Sequence, residues 1–326
     1  DYIIIEKKLL WKLFYIYVIM CVFEKNANAL QKKRRNEVGM KRKFTILSAI
    51  LIVALTACCL FACNDVDDSP AKVDYQTDNS YFVKTAESET ALTFEPILDP
   101  VYSESGLTYK PVDYRFGVIF YVGTAIEPKY YEYLGNALAK QGYLVVMPKV
   151  TLNMTYAYYK EHEEAFSAYP NVKFYVAGHS QGGGAALRRA SENADTVAGA
   201  ILLSPLCYRH KLLDADGNPV KDEESGVDKY IIDNLKNVDV ATLLVEAEQD
   251  RVLSDEMKAD AKTRLKEGYV HKVISPAAHM SFSTMDSDEI LKSFNNDGDG
   301  ITEEQKQSQR TQTIEYILDF VKGLSK

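Results

Sequence analysis

The stretch that most constrains this 326-residue chain runs from Asn171 to Leu187. It reads as a buried strand over 172–177, a tight turn over 178–182 and a helix from about Gly183. Within it, Gly178-His179-Ser180-Gln181-Gly182 matches Gly-x-Ser-x-Gly, in which a strand breaks sharply into a helix and presents its serine hydroxyl at the bend. The glycines have a steric reason. A side chain at Gly178 or Gly182 would collide with the adjoining strand and helix backbones. The helix that follows points its amino end at the serine, where free N–H groups favour developing negative charge.

From Ala91 onward the same alternation repeats. Apolar runs over 116–122, 143–147, 172–177, 197–203, 241–246 and 270–275 predict strands, and an edge hairpin is expected around 91–95 and 107–112. Helices are expected over 130–140, 155–168, 181–191, 254–266 and 304–324. Continuous apolar strands joined by helices imply an α/β fold, a mostly parallel sheet covered by helices on both faces. Right-handed crossovers then bring the carboxyl ends of the strands to one edge, where sites in such folds sit.

The amino-terminal region has a different character. Residues 1–43 carry 11 of the 38 Lys and Arg and only 4 of the 46 Asp and Glu. Residues 44–62 carry no charge, and the remainder is strongly acidic. An acidic body argues against nucleic acid or anionic lipid as a partner surface. A basic start at Lys41-Arg42-Lys43, an apolar run to Ala62 and small residues before cysteine read as an export signal beginning at Met40.

Two places resemble the cleavage box of bacterial lipoproteins, one ending at Cys58 and one at Cys63. Cys58 has the closer match; Cys63 is followed directly by a polar tether and is favoured as the lipid anchor. The division expected is an upstream, non-structural segment over 1–39, a signal over 40–63, an acidic linker over 64–90 and one folded domain over 91–326. The membrane is then a partner through the anchor, with the domain on the outer face of a bacterial cytoplasmic membrane. Four of the five cysteines lie at or before Cys63, so Cys207 is alone in the body and no disulfide framework or cysteine zinc site is possible there.

An elbow serine needs a base, and the base needs an acid to orient it. Three histidines follow Ser180: His210 in a polar loop, His271 inside a predicted strand, and His279 in the loop after the last strand. Only His279 stands at the carboxyl edge, so it is the base expected. The acid should follow the preceding strand, where Glu246, Glu248 and Asp250 compete. Glu246 is bound by the pleat, whereas Asp250 lies in the turn and can swing towards the imidazole; Glu248 is the fallback. An oxyanion needs two backbone donors. Gln181 supplies one, and the loop after the strand over 116–122 supplies the other, at Thr124 or Ala125.

The segments 120–128, 138–148 and 176–183, with the Asp250 and His279 loops, resemble the α/β-hydrolase superfamily over about residues 116–321. They are most similar to its small, nearly lidless branch, labelled hydrolase fold-5 and related to dienelactone hydrolases. The resemblance implies a Ser-His-Asp hydrolase of esters or similar small acyl compounds, with no metal and no organic cofactor. Dienelactone hydrolases carry Cys where Ser180 stands here, a departure that points away from lactone chemistry. An acyltransferase would share every one of these residues, and a surface binding lipoprotein could share the scaffold.

Two further stretches need a reading. Asn295-Asn296-Asp297-Gly298-Asp299-Gly300-Ile301 resembles half of a calcium loop, but the twelfth position is Lys306 rather than a bidentate acid. A polar turn capping the last helix is expected instead. The segment 205–239 is too short for a large lid; with a helix near 227–235 it is expected to fold over a pocket mouth. The tyrosines around 156–159 are expected to line a pocket wall and surface.

Overall fold

The central strands of the main sheet are apolar on both sides, and the two sides feed two separate cores. Val118 and Phe120 pack into one core, while Ile119 and Tyr121 pack into the other. This is the pattern of a sheet buried on both faces. The computed structural model describes residues 81–161, 164–207, 209–211, 220–221, 230–232, 240–285 and 296–324. The upstream segment, the export signal, Cys58 and Cys63 lie outside the described residues.

The strands are β1 (Phe82–Glu87), β2 (Ala91–Ser103), β3 (Gly106–Pro111), β4 (Phe116–Tyr121), β5 (Leu144–Pro148), β6 (Lys173–His179), β7 (Val197–Leu203), β10 (Thr242–Ala247) and β11 (Val270–Ile274). Their spatial order is β1-β2-β5-β4-β6-β7-β10-β11, with β3 paired to β2. The pairs from β5 through β4, β6, β7 and β10 to β11 are all parallel. β1, β2 and β3 join antiparallel at one end, and β2 meets β5 antiparallel.

Helices α1 (Glu132–Lys140) and α6 (Glu303–Leu324) cover one face, with Leu134, Ile314 and Ile317 against Phe120 and Val245. Helix α4 (Gln181–Glu192) covers the other, with Ala185, Ala186 and Leu187 against Ile119, Val176 and Leu202. Helix α5 (Asp255–Thr263) follows β10. It starts on Ser254, whose hydroxyl accepts from Met257 N.

Three expectations need correction. β1 lies inside the stretch read as linker, so the folded part begins by Phe82 rather than Ala91. β1 has no buried residue and one neighbour, so it carries no alternating pattern that a reading of periodicity could catch.

The helix expected over 155–168 is two short pieces, α2 (Thr155–Tyr158) and α3 (Glu164–Ser167). Tertiary contacts override helical periodicity here. Thr155 donates its hydroxyl to Val122 O, while Tyr156 and Tyr159 are buried beneath the guanidinium of Arg188.

Where a helix was expected near 227–235, Tyr230–Ile232 forms strand β9, paired antiparallel with β8 (Arg209–Lys211). Its aromatic and β-branched residues suit a strand. His210 is therefore on a strand; the rest of that segment's expected helix lies outside the described residues.

Candidate active site

Ser180 is the one residue between β6 and α4, and it is held at φ 55° and ψ −120°. A non-glycine residue rarely adopts such a backbone, and the conformation, which costs on the order of 1–3 kcal/mol, persists only where its surroundings impose it. Here they do. Ser180 N donates to Leu203 O at 2.9 Å, and Ser180 O accepts from Leu206 N at 2.8 Å and Gly184 N at 3.2 Å. A Cβ on Gly178 would fall on the main chain of Gly182, and one on Gly182 would fall on the carbonyl of Tyr121. The two glycines therefore let α4 lie against β4 and β6, as their spacing led us to expect.

His279 sits in the loop after β11, and its Nδ1 donates to Asp250 Oδ2 at 2.8 Å. The two side chains are 2% and 0% exposed. Asp250 Oδ1 accepts from Val252 N and Leu253 N, each at 2.9 Å, so both carboxylate oxygens are engaged. Burial by itself would raise the Asp250 pKa. The charge and hydrogen bond of His279, with the Leu253 N–H, outweigh it and hold the carboxyl below its ordinary value.

The other candidates are spoken for. Glu248 is exposed and accepts from Ser275 Oγ at 2.5 Å, which removes it as the fallback acid. Glu246 binds His271 at 2.6 Å and Lys262 at 2.8 Å, so His271 has a carboxylate partner of its own.

The loop after β4 separates the two oxyanion alternatives. Ala125 N donates to Asn153 O at 3.1 Å, Ile126 N to Gly123 O at 3.1 Å and Gly123 N to Tyr131 Oη at 3.2 Å. Ala125 is thus excluded as a donor to substrate, because its N–H is already used. Among the four amides of residues 123–126, that of Thr124 is the one with no hydrogen-bond partner.

Sequence reasoning missed His179 and Tyr131. Tyr131 Oη lies 2.7 Å from His179 Nδ1 and also receives the Gly123 N–H. Because Oη accepts from Gly123, we assign its proton to His179 Nδ1, which leaves His179 neutral and protonated on Nε2. Complete burial pushes the His179 pKa well below its ordinary value, and the neighbouring His279 adds to the effect. The rings of His179 and His279 stand 4.6 Å apart, centroid to centroid. His179, the residue before Ser180, thus packs directly against the His279 ring. Ser180 Oγ and His279 share no hydrogen bond in this structure. Such bonds are commonly long in enzymes without substrate and tighten on binding.

The last helix and the turn before it support the His279 loop. Gln309 clamps Ala278 from both sides, Nε2 to the carbonyl at 2.8 Å and Oε1 from the N–H at 3.0 Å. Arg310, 2% exposed, donates to the carbonyls of Ser281 and Ser283. The turn over 296–300 leads into α6 through a capping box: Thr302 N donates to Gln305 Oε1, and Gln305 N to Thr302 Oγ1. Among the described residues no group of three His, Cys, Asp or Glu side chains is placed to hold a metal, and no helix is long and apolar enough to cross a membrane.

Residues 117–219 match the sequence model of the alpha/beta hydrolase family. No curated protein matches the chain. Among solved structures, one described under LipS and LipT, two metagenome-derived lipolytic enzymes, aligns at 16% identity with a TM-score of 0.40, over 62% of this chain and 96% of its own. A thioesterase domain from the curacin biosynthetic pathway aligns at 16% identity with a TM-score of 0.39, over 66% and 99%. Sheet order and the serine elbow give the chain the α/β-hydrolase fold, and the family match over residues 117–219 supports reading it as a hydrolase enzyme.

Proposed function

We propose that the protein is a serine hydrolase that cleaves an ester or similar small acyl bond, with Ser180 as nucleophile, His279 as base and Asp250 as orienting acid. The observation that carries this reading is the buried 2.8 Å bond from His279 to Asp250, whose imidazole packs on the residue next to the elbow serine. Asp250 holds Nδ1 protonated, so Nε2 is the free base that takes the Ser180 proton. Ser180 Oγ attacks the acyl carbon and forms a tetrahedral adduct. The N–H groups of Gln181 and Thr124 receive its oxyanion, at the amino end of α4. Collapse returns the proton through His279 to the leaving alcohol and leaves an acyl-enzyme. Water, deprotonated by His279, then releases the acid and restores Ser180.

Within the superfamily, the reading extends to the small, nearly lidless branch. It extends also to display outside the cytoplasmic membrane, through lipid on Cys63 or Cys58. Radiolabelled palmitate incorporation, compared in Cys63→Ser and Cys58→Ser variants of the full chain, tests the anchor: label retained in the double variant overturns it.

The chemistry is tested with a fluorophosphonate probe and a short-chain nitrophenyl ester. Wild-type protein should be labelled and should turn over, and Ser180→Ala should do neither. A folded wild-type protein inert to both reagents would favour a binding lipoprotein instead.

A further inference from the structure

Asp297 is fully buried, in the turn that precedes α6. Its two carboxylate oxygens go to two different loops. Oδ1 accepts from Arg251 N at 2.9 Å, and Oδ2 accepts from Met280 N at 2.8 Å. Arg251 directly follows Asp250, and Met280 directly follows His279. One side chain therefore spans the backbone beside the acid and the backbone beside the base.

From this geometry we infer that Asp297 is a positioning residue, a strut that sets the spacing between Asp250 and His279; the inference rests on the triad reading above. Gln309 and Arg310 also brace the His279 loop, through Ala278 and through the carbonyls of Ser281 and Ser283. Among the described residues only Asp297 accepts from the backbone next to both. The reach is short and rigid. Two charge-assisted bonds to main-chain N–H groups leave the carboxylate little freedom, and displacing either loop by about 1 Å can cost about 100-fold in rate. Arg251 reinforces the arrangement by donating Nη1 to Asn296 O at 3.1 Å, which ties the acid loop back onto the turn that carries Asp297.

Asp297→Asn tests the strut with little change of shape. A carboxamide has one acceptor oxygen and an NH2 that cannot accept, so one of the two N–H groups must lose its partner. The first reading is the downfield proton resonance of the His279 Nδ1–H bound to Asp250, followed by NMR. It requires no turnover and so stands even if the proposed hydrolysis fails. The resonance should shift or broaden in Asp297→Asn while the rest of the spectrum stays folded. On a nitrophenyl ester, kcat should fall about 10- to 100-fold with KM within about twofold. A merely structural role predicts a lower Tm with an unmoved resonance and unchanged kcat below that Tm, and that result overturns the proposal. If Asp297→Asn does not fold, couplings across hydrogen bonds are measured in wild-type protein. Couplings from the Asp297 carboxyl carbon to both the Arg251 and Met280 amides uphold the bridge, and the lack of either overturns it.

Discussion

Asp250 Oδ2 accepts the Nδ1 proton of His279 at 2.8 Å across 29 residues of sequence, and both side chains are sealed from solvent. In that setting the carboxylate dictates the tautomer of the ring. Asp250→Asn keeps the shape but presents an amide that can donate to Nδ1, so Nε2 carries the proton and cannot act as base. Turnover of a nitrophenyl ester should fall about 10³- to 10⁴-fold, with fluorophosphonate labelling slowed in parallel. A loss under tenfold would remove Asp250 from the proposed triad.

Acid should weaken the fold in two separate windows. His179 has a folded pKa well below its unfolded value of about 6.5, so the unfolded chain takes up that proton first. Its contribution is complete above about pH 6.5 and declines as pH falls below it, at up to about 1.4 kcal/mol per pH unit. Asp250 has a folded pKa below its unfolded value of about 3.9, so its share persists to lower pH and drains only below about pH 4. Urea denaturation from pH 4 to 8 should show a shallower slope in His179→Phe than in wild type. Equal slopes would contradict a neutral, buried His179.

Tyr131 serves two buried groups with one oxygen, the Gly123 N–H and His179 Nδ1. Tyr131→Phe leaves both without a partner at a cost of about 1–3 kcal/mol each. Thermal denaturation should register the loss. Because Gly123 precedes the proposed oxyanion donor Thr124, kcat should also fall while KM changes little. A variant as stable and as fast as wild type would show that the network has no such role.

Two glycines should respond in opposite directions. Gly182→Ala places a methyl against the Tyr121 carbonyl, where the neighbour is backbone rather than a flexible side chain, so a loss at the upper end of about 1–3 kcal/mol is expected. Gly323, near the end of α6, faces open space. Gly323→Ala should gain up to about 1 kcal/mol from helix propensity alone. Urea midpoints of the two variants check both signs.

Much of the sheet was legible because its strands are local apolar runs, and 197–203 was read to the residue. The elbow was legible because its glycines are demanded by contacts within a few residues and the strands beside them. His279 and Asp250 could be singled out by position at the ends of strands. Tyr131, His179, Gln309 and Arg310 could not, since each acts through a partner tens of residues away that no spacing rule connects. The stretch over 295–301 drew notice as half a calcium loop. Its one buried carboxylate instead turns inward to two main-chain N–H groups.

The sequence by itself determined the layered α/β architecture, the strand-to-helix turn at Ser180 and the chain order of serine, acid and histidine. These follow from apolar periodicity and from the steric needs of glycine, which act over a few residues. Tertiary structure alone decided which N–H of residues 123–126 is left without a partner, which carboxylate reaches His279, and that a buried aspartate ties the two loops together. Those outcomes depend on how buried polar groups find partners across the sheet edge, and each partner is specified only once the whole chain is packed.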